Sequence, residues 1–151
     1  MKNSNKKGFT LVELVVVIAI IGVLAAILVP SMMGYVKKSR LKTANGNAKT
    51  SYNAVAEYLA DMETQGKLKS VTNDGALEEA KNALKSNGSD AGMPGTNVES
   101  VVTADDFDGT QTWYCQWKKQ DGDEIVGQYP EAPQKVGDAL TATNIAWADA
   151  D

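Results

Sequence analysis

Histidine is absent from this 151-residue chain, and cysteine occurs once, at Cys115. The first absence removes any histidine-based triad or imidazole metal cage and leaves the lone thiol without an imidazole to activate it. The second excludes an intramolecular disulfide, so the core must hold by packing. No glycine-rich phosphate loop precedes a helix, and no spacing of acidic pairs favours acid–base work over turns. No catalytic residue is therefore assigned, no cofactor is expected, and the chain does not read as an enzyme. Basic charge is also scarce beyond the N-terminus. Without Lys2, Lys6 and Lys7, three of the 15 basic side chains, 12 remain against 19 acidic ones. A body so acidic lacks the footprint for phosphate backbones, and no nucleic-acid partner is expected for it.

What the chain does have is a long apolar run. From Phe9 to Val29 every residue is apolar or glycine except Thr10 and Glu13. About 20 residues at ~1.5 Å each reach ~30 Å, enough to cross a hydrocarbon core. The mean hydropathy of -0.27 therefore averages an apolar front with a polar back. Glu13 is the anomaly. A carboxylate near the centre of a membrane costs roughly 2.5–3.5 kcal/mol on insertion scales, so it marks a function and a partner. Ahead of the run, residues 1–8 form a short basic leader that stops abruptly at Lys6-Lys7-Gly8-Phe9. No small-residue cleavage pattern follows the apolar core, so the segment is expected to be retained rather than removed as a secretory signal. Lys37, Lys38, Arg40 and Lys42 beyond the run balance the leader's lysines, and charge alone leaves the topology open.

The string Lys7-Gly8-Phe9-Thr10-Leu11-Val12-Glu13 followed by an apolar run resembles the class III signal of type IV pilins and of the related pseudopilins of type II secretion. The resemblance is specific over Lys6–Pro30, extends along the helix to about Met62 and is absent beyond. It implies cleavage after Gly8 by a membrane prepilin peptidase on the cytoplasmic side, a new N-terminus at Phe9, and N-methylation of that amine. It also implies that Glu13 is the family's buried glutamate. Glu13 would pair with the ammonium of Phe9, its own or a neighbour's, and check register as subunits add, since an unpaired charge in low dielectric is penalised. Gly22 and Pro30 match family positions where filament packing loosens the helix. Glycine costs ~1 kcal/mol in a helix and proline ~3, so the stretch they bracket should unwind most easily; a simple kink at Pro30 is the alternative.

Apolar residues from Met33 through Leu41, Ala44, Ala48, Tyr52 and Val55 to Met62 recur at mostly three- and four-residue steps, the pattern of an amphipathic helix. One helix from Phe9 to about Thr64 would run ~80 Å, with Gly66 as its stop. The basic cluster Lys37–Lys42 suits anionic headgroups, acidic surfaces of adjacent subunits, or solvent. Asn73 or Asp74 offers an N-cap for a second helix of about three turns ending at Ser86-Asn87-Gly88. A loop is expected over Gly88–Asn97, then strands over Val98–Thr103, Gln111–Lys119 and Glu124–Tyr129, with Asp121-Gly122 turning between the last two. Ile145 and Trp147 are expected to anchor a weakly patterned tail. The two acidic strings, Asp105-Asp106 with Asp108-Gly109 and Asp121-Gly122-Asp123-Glu124, fall short of a twelve-residue calcium loop; turn chemistry accounts for both, and no metal site is assigned.

These observations predict an α+β chain in three parts: a cleaved leader (1–8), a transmembrane and filament-core helix half (9–36), and a soluble head (37–151) carrying a small antiparallel sheet and one short helix. The resemblance implies a structural subunit of an extracellular type IV pilus, held first as a single-pass protein of the cytoplasmic membrane. Adhesion, motility or surface attachment would be its roles. Its implied partners are identical subunits, the prepilin peptidase, a platform protein and an assembly ATPase. Two alternatives remain at this point: a pseudopilin of a secretion or competence system, and a monomeric membrane-anchored binding module.

Overall fold

The computed structural model describes residues 8–88 and 92–149. The leader's residues 1–7 lie outside that range, as do three residues of the loop expected after Gly88. Two compact units divide after Val36. Helix α1, Leu11–Thr64, supplies the regular structure of the first unit among the described residues and continues into the second.

In the first unit the helix follows from an apolar run that only Glu13 interrupts between Leu11 and Val29, with a capped start at Thr10. Pro30 lies inside α1 and has no N–H to offer the carbonyl four residues back, yet the helix is uninterrupted there and at Gly22. Its C-terminus ends as expected. Gly66 takes φ +68°, its N–H donates to the Glu63 carbonyl at 2.9 Å, and the Lys67 N–H donates to the Met62 carbonyl at 2.8 Å. That double bond pattern needs a left-handed residue, which glycine supplies without a Cβ clash.

The second unit is α+β. After a 3-10 turn at Leu68–Ser70 come α2 (Asn73–Ser86), β1 (Met93–Thr96), α3 (Val98–Val102), β2 (Cys115–Lys118), β3 (Gly127–Tyr129) and β4 (Ala146–Trp147). The strands form one antiparallel sheet in the order β3-β2-β1-β4. Two apolar clusters fill the interior. One joins Val55 of α1 to Val71, Ala76, Ala80, Val98, Val102, Trp113 and Cys115. The other joins Leu41, Ala44 and Ala48 to Leu84, Trp117 and Ile125. Tyr52 belongs to the first and stacks on Trp113 at 4.0 Å between ring centroids, with the edge of Tyr129 at 5.0 Å.

Four sequence expectations change. The segment predicted as a strand at Val98–Thr103 is helix α3. Val98 and Val102, one helical turn apart, are both buried. Glu99 is held in place by Asn73: the Asn73 N–H donates to Glu99 Oε2 at 2.8 Å, and the Glu99 N–H donates to Asn73 Oδ1 at 3.1 Å. The strand lies instead within the predicted loop, as β1, despite Pro94. The sheet has four strands rather than three, because the tail adds β4 on β1, and the Ala148 N–H donates to the Pro94 carbonyl at 2.9 Å. The cap of α2 is Thr72, whose Oγ1 accepts the Gly75 N–H at 3.2 Å, rather than Asn73 or Asp74.

The second face of β2 is also covered. Gln116, between Cys115 and Trp117 and on the opposite face of the strand, is buried, and its Nε2 donates to Gln128 Oε1 at 3.1 Å. Gln128 Nε2 donates to the Glu131 carbonyl, and the Ala142 N–H donates back to Gln128 Oε1, both at 3.2 Å. Asn45 of α1 joins the same network by donating to the Pro133 carbonyl at 2.9 Å. The C-terminal segment is thus held by satisfied buried amides.

Candidate assembly site at the start of the first helix

Every residue of the first unit from Gly8 to Val36 is exposed, including Phe9 at 84%. The front of α1 is long and apolar enough to cross a membrane, with a mean hydropathy of 3.1 over its best 18 residues and none of that stretch buried within the chain. An apolar surface this extensive is unstable in water and requires cover, from lipid or from other helices.

At its start, Thr10 and Glu13 form a reciprocal capping box. Thr10 Oγ1 accepts the Glu13 N–H at 3.2 Å, while Glu13 Oε2 accepts the Thr10 N–H at 2.7 Å and the Thr10 hydroxyl at 2.8 Å. Two N–H groups that the helix itself cannot satisfy are paired in this way, as a Thr-x-x-Glu sequence permits. Hydropathy marks Glu13 only as an isolated acid in an apolar span; the Thr-x-x-Glu spacing is the sequence signal for its second role. The geometry shows what fixes the carboxylate: Oε2 is occupied, and Oε1 takes no hydrogen bond among the described residues. Phe9 immediately precedes the cap, and Phe9 and Glu13 line one open apolar hollow with Val12, Leu14, Val16 and Val17.

The other sequence candidates fall elsewhere. Gly22 has open space around it, with nothing within 4 Å of an added Cβ. The acidic strings are engaged in turns and ion pairs. Asp108 Oδ1 accepts the Thr110 N–H at 2.9 Å and the Thr110 hydroxyl at 2.6 Å, which holds its carboxyl below the usual range. Asp121 takes Lys118 at 2.7 Å, and that ammonium lowers its carboxyl likewise. Asp123 takes Arg40 at 2.9 Å. No group of three metal-binding side chains occurs among the described residues. Cys115 is buried, and burial pushes its thiol up to about 12 against the opposing hydrogen bond with Thr96, so it packs as a small apolar group.

An exposed apolar helix opening on a Gly-Phe junction and a carboxylate-bearing cap defines a prepilin-type N-terminus. Residues 3–29 match the family model for the prokaryotic N-terminal methylation motif. Among curated proteins, the chain is 48% identical over 61 residues to the fimbrial protein EcpC of Eikenella corrodens, covering 40% of each chain. It is 38% identical over 61 residues to the type IV major pilin protein PilA of Myxococcus xanthus, covering 40% of this chain and 28% of that one. It is 44% identical over 59 residues to the type IV major alpha-pilin of Moraxella bovis, covering 39% and 37%. The chain therefore carries the prokaryotic N-terminal methylation motif, and the relatives that share its front bear the names of pilus and fimbrial proteins, not of enzymes. The matched stretches span less than half the length of these relatives. No solved structure matches the chain.

Proposed function

We propose that this protein is a pilin, the structural subunit of an extracellular type IV pilus. The observation that carries the reading is the coincidence of the methylation motif with a helix front that is apolar and wholly uncovered within the chain. Cleavage between Gly8 and Phe9 removes the leader (1–8), and the new amine of Phe9 is methylated. The helix half at 9–36 holds the precursor in the cytoplasmic membrane and then packs against identical copies as the filament core, while 37–151 is displayed outside. Glu13 pairs with the Phe9 ammonium. The capping box supports this role, because it fixes one carboxylate oxygen and leaves the other open beside the residue that gains the charge. Gly22 and Pro30 are the points at which the packed helix loosens. The peptidase, platform protein and assembly ATPase are the machinery this life cycle requires, and surface attachment or motility are the roles it serves. The names of the relatives favour a pilus over a secretion pseudopilus. Electron microscopy of material sheared from cells, with N-terminal sequencing of its main band, tests the proposal. Long filaments beginning at N-methylated Phe9 are expected; a chain found only as membrane monomer would favour the anchored binding module.

A further inference from the structure

From Lys37 onward α1 buries Leu41, Ala44, Ala48, Ser51 and Val55 on one side. Arg40, on the flank of that side, is committed to Asp123 at 2.9 Å. Lys38 and Lys42 are exposed away from it, one helical turn apart, and make no ion pair among the described residues. Further along, Glu57 and Asp61 repeat the arrangement with opposite charge: exposed, one turn apart and unpaired among the described residues. They edge a groove of 340 Å³ between α1 and α2, to which α2 contributes the carboxylate of Glu79. Residues four apart form a ridge on a helix surface, so one basic and one acidic ridge stand on the same element. Nineteen residues separate Lys38 from Glu57, and nineteen separate Lys42 from Asp61. At ~1.5 Å per residue both offsets equal ~28 Å, too far for pairing within one chain.

We propose that the Lys38–Lys42 ridge of one copy docks on the Glu57–Asp61 edge and Glu79 of a second copy, parallel to it and displaced by ~28 Å along the helix. The inference rests on the pilin reading and adds, beside the Glu13–Phe9 pair, a second determinant of axial register. The Val, Ile and Leu surface of the first unit offers little of its own, since dispersion and burial are non-directional and a slip of one turn replaces apolar contacts with similar ones. Charged ridges are directional in this sense, because a slip by one turn leaves one ion pair where there were two. Equal offsets let both pairs form at once.

Charge reversal with a restoring swap tests this. Lys38→Glu with Lys42→Glu is expected to lower the yield of sheared filaments at least tenfold while the processed protein accumulates in the membrane. Glu57→Lys with Asp61→Lys should do the same, and the fourfold variant should recover to within about threefold of wild type. A silent reversal at Glu57 and Asp61, the result expected if the lysines serve lipid headgroups instead, would overturn the proposal, as would a fourfold variant no better than its parents. A second variant covers a loss caused by misfolding. With Lys38→Cys and Glu57→Cys in one chain, a bis-maleimide long enough to span a lysine–glutamate ion pair should give a ladder of cross-linked copies from filaments, and assembled filaments without a ladder overturn the register. Wild-type cells that make no filament would overturn the pilin reading and this inference with it, whereas wild-type filaments with silent reversals overturn the register alone.

Discussion

Gly127 has no room for a side chain. A Cβ at this position would stand 2.1 Å from the carbonyl carbon of Ala44 and 2.3 Å from its oxygen, so β3 rests directly on the backbone of α1. Ala44 and Ala48 present the small surface that permits this approach. Backbone cannot rotate away as a long side chain can, and Gly127→Ala must push the strand off the helix. The expected cost is about 2–3 kcal/mol, read as a fall of roughly 10 °C in the Tm of the full chain in detergent. Cys115 makes a second prediction at this scale. With its thiol pushed up to about 12 by burial, almost no thiolate exists at pH 8 in the folded chain. Alkylation should be negligible there and should rise only along the unfolding transition; fast labelling of the folded chain would contradict the packing described. Glu13 and the Gly8-Phe9 junction were legible because they are a local string. Gly127 was not, because what it touches is far away in sequence.

At the scale of elements, the tie between α2 and α3 carries the clearest prediction. Asn73 and Glu99 exchange two hydrogen bonds, each side chain satisfying the other's backbone N–H at the first turn of its helix. Asn73→Ala deprives the Glu99 N–H of its acceptor but keeps the bond from its own backbone N–H to the Glu99 carboxylate, and Glu99→Ala does the converse. Each substitution is expected to cost about 1 kcal/mol by chemical denaturation, and the double variant about the sum, since a different bond is lost in each. A single variant as damaging as the double would mean that the two bonds form only together. This tie also explains the misread strand. Val98–Val102 is rich in β-branched residues, and from sequence alone that reads as sheet. The distant Asn73 caps the segment and the buried Val98–Val102 pair holds it, so tertiary contact overrides local preference. The reverse happened at β1, where glycine and proline read as a loop but β2 and β4 enclose the strand on both sides. The helices were legible because their period repeats over many residues. Strands of two to four residues give too short a pattern to separate from turns.

For the molecule as a whole, the question is whether Glu13 serves the single chain, the filament or both. The capping box gives it a role in the monomer, and the proposed pairing with the Phe9 ammonium would give it one in assembly; the two can be separated. A glutamine keeps a carbonyl oxygen able to accept the Thr10 N–H, since Gln is as suited as Glu to the third helical position of a capping box. Glu13→Gln should therefore leave the start of α1 formed and the precursor held in the membrane. It removes the negative charge, however, and with it the partner that a buried ammonium needs. Processing at Gly8-Phe9 is expected to proceed, while sheared filaments fall at least tenfold. Thr10→Ala reverses the logic, because it keeps the carboxylate and removes the hydroxyl that accepts the Glu13 N–H, at a cost near 1 kcal/mol to the helix end. Assembly should then survive with a modest loss. A Thr10→Ala defect as large as that of Glu13→Gln would mean that assembly needs the intact cap as well as the charge. Normal filaments from Glu13→Gln would show that no charge is required to bring this helix from lipid into the filament core.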